Sequence, residues 1–134
     1  MRILGLIAAL AAAGLLGLSA LPALAGDFDG SKLLLCATVE ALDCAPGAAC
    51  EKSTPGEIGA PAFFRIDFAG KALVGPKRTA PIELMQKTDT QILLQGTELG
   101  YAWTVVLDTE DGGMATTLAN REGVFVLFGA CTVP

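Results

Sequence analysis

Hydrophobic and polar positions alternate most clearly between Tyr101 and Phe128, in the run YAWTVVLDTEDGGMATTLANREGVFVLF. Tyr101, Trp103, Val105 and Leu107 fall on one side of an extended chain and Ala102, Thr104, Val106 and Asp108 on the other, the period of a half-buried strand. The segment Asp108-Thr109-Glu110-Asp111-Gly112-Gly113 reverses the chain, its Asp-Gly step supplying the positive φ that a tight hairpin requires. Three apolar runs divided by two polar turns predict a three-stranded antiparallel meander.

The same grammar extends upstream. Residues 33–42 read as a first strand, and Leu33-Leu34-Leu35 at its start is apolar on both faces, which predicts cover on both sides at that end. Thr54-Pro55-Gly56-Glu57 is a capping-box pattern with Pro at the first helical position. Gly59 and Pro61 stop it, so a single helical turn is the only helix expected after residue 25. Further strands follow at residues 63–68, 72–75, 82–87 and 91–96. Ile82 and Leu84 are set against Glu83 and Lys87 in one, and Ile92 and Leu94 face inward in another. Short strands at regular spacing, with turn residues between them, predict an all-β fold. Eight or nine strands with short connections favour an up-and-down antiparallel meander. Such a ribbon exposes two edges unless it curls on itself, so a closed or nearly closed barrel is preferred to a sandwich.

The first 25 residues stand apart. Arg2, an uncharged apolar run from Ile3 to Leu18, Pro22 and then Ala23-Leu24-Ala25 match a signal peptide with cleavage after Ala25. The competing reading is a retained membrane anchor, against which Pro22 and the small residues argue. No cysteine follows the apolar run directly, so a lipid-modified N-terminus is not expected. Residues 26–134 then form a single exported domain, periplasmic or secreted, with no membrane span after cleavage. Removing Arg2 leaves eight basic and fourteen acidic side chains, a net charge of −6. Phosphate-backbone binding needs clustered cations, and Lys77-Arg78 is the nearest approach to a cluster. Nucleic acid is excluded as a partner.

All four cysteines, Cys36, Cys44, Cys50 and Cys131, follow residue 25. An even count in a small exported domain reads as two disulfides, for which three pairings exist. Pro46-Gly47 turns the chain between Cys44 and Cys50, favouring that pair. Cys36–Cys131 remains, expected to join the first strand to the last and hold the two sheet edges together. A zinc site fits poorly, because no CxxC and no histidine is present.

Candidate chemistry is sparse. Without histidine the usual general base near neutral pH is missing, and bridged cysteines offer no thiol nucleophile. Ser31 and Ser53 lie in no Gly-x-Ser-x-Gly elbow, and no pair of carboxylates is singled out. No catalytic residue and no cofactor is assigned; the expectation is a protein that is not an enzyme. Asp27 and Asp29 have the composition of a cation-binding turn but lack the remaining ligands, and Asp108, Glu110 and Asp111 crowd one hairpin tip, where the functional readings are a calcium ion or a negative knob for a basic partner; ordinary polar turns are expected at both. Lys71, Lys77 and Arg78 are expected in solvated loops rather than at an acidic partner.

Aromatic residues make the best case for a ligand site. Phe64 and Phe68 alternate on one predicted strand, Tyr101 and Trp103 on another, with Phe125 and Phe128 on the last. Pointing into a barrel, the first four would line an apolar pocket with Tyr101 as a polar contact. Side chains nearly fill a barrel of about eight strands, so the expected interior is filled or very shallow.

The segments FFRIDFAGKALVG, IELMQKTDTQILLQG, WTVVLDTEDGGM and FVLFGACT resemble small exported bacterial proteins of uncharacterised function, with their Ile-Asp strand, hairpin meander and terminal Gly-x-Cys (Gly129-Ala130-Cys131). The resemblance implies a small β domain of the cell envelope and no activity. At greater distance the arrangement is similar to periplasmic lysozyme-inhibitor barrels, but no inhibitory-loop motif matches and no site is transferred. The sequence thus leads to an exported, non-catalytic binding or interaction module whose partner is an unknown protein or envelope component. The alternative is a lipocalin-like carrier of a small apolar ligand.

Overall fold

A computed structural model describes residues 26–134; the predicted leader lies outside the described residues. Ten strands are present: β1 (Leu34–Cys44), β2 (Glu51–Ser53), β3 (Phe63–Asp67), β4 (Ala72–Val74), β5 (Thr79–Pro81), β6 (Leu84–Lys87), β7 (Gln91–Glu98), β8 (Tyr101–Asp108), β9 (Gly113–Asn120) and β10 (Gly123–Thr132). All pair antiparallel in one sheet of order β5-β4-β3-β1-β10-β9-β8-β7-β6, with β2 hydrogen-bonded to the far half of β1. The sheet curls into an open half-barrel.

Closure differs from the sequence expectation. The first and last strands, β1 and β10, are direct neighbours over nine paired residues, from Leu35↔Thr132 to Cys44↔Val124. Cys36 and Cys131 sit opposite one another in that ladder and form a disulfide. The bridge therefore spans two hydrogen-bonded strands mid-sheet, not two edges. The open seam lies between β5 and β6, which are consecutive in the chain and share no ladder. Ile82 N–H donates to Lys71 O (2.8 Å) on one side of the seam, and Glu83 N–H donates to Gln95 O (2.9 Å) on the other. Pro81 has no N–H to give a ladder, which suits it to this edge.

Cys44–Cys50 closes the β1–β2 hairpin, with Ala48 N–H donating to Ala45 O across Pro46-Gly47. Two disulfides in so small a domain are typical of exported proteins.

The predicted single turn forms, with Ile58 N–H donating to Thr54 O (3.4 Å), but it does not extend into a helix, and no helix occurs among the described residues. The capping box nevertheless forms. Glu57 Oε2 accepts from Thr54 N–H (2.9 Å) while Thr54 Oγ1 accepts from Glu57 N–H (3.3 Å). Gly59, at φ +74°, ends the turn before a second one propagates. Two inward assignments also change. Leu33 lies exposed ahead of β1, so only Leu34 of the triple-Leu run is fully buried, and Leu84 is exposed on edge strand β6.

One end of the half-barrel is packed solid. Leu34, Ile66, Ile92, Leu94 and Leu107 are fully buried there, with Phe68 and Met114 in the same cluster. The lead-in segment caps this end, because Phe28 packs on the cluster and against Gly112. No helix among the described residues is long and apolar enough to cross a membrane.

Candidate functional site

The other end is hollow. A cavity of about 430 Å³ opens there, lined by Phe64, Tyr101, Trp103, Val105, Phe125 and Leu127 among others. The void has a compositional cause. Inward positions at the packed end carry Leu, Ile and Met, whereas Thr38, Gly75, Ala80 and Thr116 face this cavity and leave its volume unfilled. Where a filled or very shallow interior is expected, these small residues, contributed by four separate segments, leave a half-open hollow. A barrel of this size has room for side chains or for one small ligand, and about 430 Å³ lies within the range of small-molecule sites.

Of the aromatics singled out from sequence, Phe64, Tyr101 and Trp103 come together on the cavity wall. Phe68 is buried at the packed end, beside Gly30 and Ile92, and takes no part. Phe125 joins the site, its ring 6.1 Å from that of Tyr101 with planes tilted by 38°. Phe128, three residues further along the same strand, emerges on the outer face. Trp103 owes its position to Gly96, directly across the β7–β8 ladder. Any Cβ at residue 96 would overlap Trp103 Cζ2 and lie 2.7 Å from Pro81 O.

Three segments frame the mouth. Residues 56–61 form one wall. The capping box holds one end of this segment, and Thr38 holds the other through Thr38 Oγ1 to Pro61 O (2.8 Å) and Thr38 N to Ala62 O (2.9 Å). The three hydrogen bonds to the Glu57 carboxylate, from Thr54 N–H first, then the Thr54 and Ser53 hydroxyls, hold its pKa below the ordinary 4.5. Residues 75–78 form the second segment, a turn closed by Gly75 N–H to Arg78 O (2.8 Å). The third is the β7–β8 hairpin, where Leu99 and Gly100 both adopt positive φ (49° and 83°). Leu is an uncommon choice there, and it leaves an apolar side chain 67% exposed at the mouth.

Two polar atoms of lining residues have no partner: Trp103 Nε1 and Thr116 Oγ1, on side chains only 3% and 6% exposed. Buried polar groups are normally hydrogen-bonded, so this end of the molecule holds unused bonding capacity. Lys77 and Arg78, read from sequence as a solvated loop, stand at the mouth, whereas Lys71 does not line the cavity. Sequence reasoning missed Ile58, Leu99 and Leu118. The positive-φ Leu-Gly turn is the one signal that marked any of them.

The acidic turns satisfy themselves. Asp108 Oδ1 accepts from Glu110 N–H (2.7 Å) and Asp111 N–H (3.3 Å), and Asp111 Oδ1 from Gly113 N–H (2.7 Å). Asp29 likewise accepts from the Ser31 hydroxyl and N–H; these bonds lower its pKa below 3.8. No group of three or more potential metal ligands gathers among the described residues.

Comparison with protein-family models, with curated proteins and with solved structures returns no match. The functional reading therefore rests on the geometry of the site.

Proposed function

We propose that this protein is an exported, non-catalytic binding domain of the cell envelope, periplasmic or secreted, which holds a small and largely apolar molecule at the open end of its half-barrel. The observation that carries this reading is the cavity of about 430 Å³ walled by Phe64, Tyr101 and Trp103. Apolar surface supplies affinity there. The test is native mass spectrometry of the protein purified from its own host. A small hydrophobic molecule retained at one per chain supports the reading; a cavity that rejects a broad panel of apolar probes overturns it.

A second reading, an interaction module for a protein partner, draws on the outer face. Val39, Phe63 and Phe128 are 76%, 60% and 43% exposed and lie on the three adjacent strands β3, β1 and β10. The β-bulge between Thr38 and Glu40 turns Val39 outward. In the same mass-spectrometric experiment, a stoichiometric protein with an empty cavity would favour this reading.

A further inference from the structure

We infer that the molecule held in the cavity is an amphiphile with an anionic head, its apolar chain inside and its head at the mouth against Lys77 and Arg78. This rests on the ligand-binding reading above and adds the ligand's charge. Three charged side chains line the cavity: Lys77, Arg78 and Glu98. Their sum is +1, in a chain that carries −6 beyond residue 25. Only eight cations follow residue 25, and the single adjacent pair among them stands at this mouth.

The cations are placed to receive an anion. Lys77 has no acidic partner among the described residues. Arg78 meets Glu98 through Nε, at 3.4 Å, with both side chains partly exposed. An exposed pair of this kind is weakly held, and the guanidinium's remaining N–H groups are left to fork a carboxylate or phosphate. Both heads present the same oxygens, so the chemistry inferred is the anion. A half-wet rim also avoids the large desolvation cost of a charge carried deeper, where buried Phe64, Trp103, Val105 and Leu127 stand beside Thr38 and Thr116. A neutral oil would gain nothing from Lys77 and Arg78, and a cationic head would be repelled.

The test uses residues 26–134, oxidised, with the emission of Trp103 as reporter, since Trp103 is the chain's one tryptophan. Decanoate, decyl phosphate, decanol and decyltrimethylammonium are titrated below their micellar concentrations. One or both anions bind about tenfold tighter than decanol, the cation binds weakest, and raising salt weakens the anions while leaving decanol unaffected. The tighter of the two anions identifies the head as carboxylate or phosphate. The double substitution Lys77→Ala/Arg78→Ala removes the preference without changing decanol affinity, and Glu98→Gln strengthens anion binding. Decanol equalling both anions, or anion affinity insensitive to salt and to the double substitution, overturns the inference and leaves the ligand reading standing. Failure of every probe to bind overturns both.

Discussion

Single side chains decide where this interior is full and where it is empty. Gly96 is the sharpest case, because the Trp103 ring lies over its Cα where a methyl has no room. Gly96→Ala should displace the indole and destabilise the fold by about 2 kcal/mol, the cost of forcing a methyl into a packed site. The Trp103 emission maximum should move to the red, and urea denaturation reads the loss; an unshifted maximum would place the ring elsewhere. Thr116 makes the opposite prediction. Its hydroxyl is buried without a partner, so Thr116→Val should raise the stability of the ligand-free protein by about 1 kcal/mol. The same denaturation series checks it, and a loss of stability would mean that the hydroxyl is bonded. A strand's alternation gave away Trp103 as an inward residue, but not the empty space beside it. That space is the shortfall of Thr38, Gly75, Ala80 and Thr116, which comes into being only when their segments meet.

At the scale of elements, hairpins were legible because their signals are local. Asp108 to Gly113 carries its own turn chemistry, and Ile92 and Leu94 carry the inward stripe of β7, both fully buried as the alternation implies. Residues 54–61 were only half legible. The capping box forms, yet Gly59 and Pro61 leave it one turn with no helix to cap. What the segment does instead is wall the cavity, with the Glu57 carboxylate among the groups that hold it. Its carboxylate accepts from Thr54 N–H, Thr54 Oγ1 and Ser53 Oγ, which hold its folded pKa below 4.5. A depressed carboxylate pKa contributes stability above the unfolded value that is lost as pH falls through the folded one. The wall should therefore be intact at neutral pH and loosen in acid below pH 4.5. NMR titration of the Glu57 carboxyl carbon should give a midpoint under that value, and Glu57→Ala, which removes the acceptor, should weaken ligand binding at pH 7. A midpoint at or above 4.5 would remove Glu57 as the clamp.

The whole molecule is a ribbon joined at its termini and open in its middle, and that arrangement was the least legible part. Local patterning names the strands but not which distant strands pair. The expectation that Cys36–Cys131 gathers two loose edges failed because β1 and β10 already share a full ladder, which leaves the seam at Pro81–Glu83. The consequence for stability can be worked out from chain entropy. Cys36 and Cys131 are 95 residues apart, Cys44 and Cys50 only 6. The loop-closure model assigns about 4.7 kcal/mol to the long closure and about 2 kcal/mol to the short one. The long bridge also lies in the core, with Cys36 fully buried and Cys131 nearly so, so replacing both by Ala removes packing as well. Cys36→Ala/Cys131→Ala should thus destabilise the domain by at least about 4 kcal/mol, against about 2 kcal/mol for Cys44→Ala/Cys50→Ala. A domain of this size has only about 5–15 kcal/mol in total, so the first change alone brings it close to unfolding. The second should do so only in moderate denaturant. Guanidinium titration of the two variants beside the oxidised parent separates these outcomes. Equal losses would mean that the nine-residue ladder between β1 and β10, not the sulfur bridge, confines the chain ends.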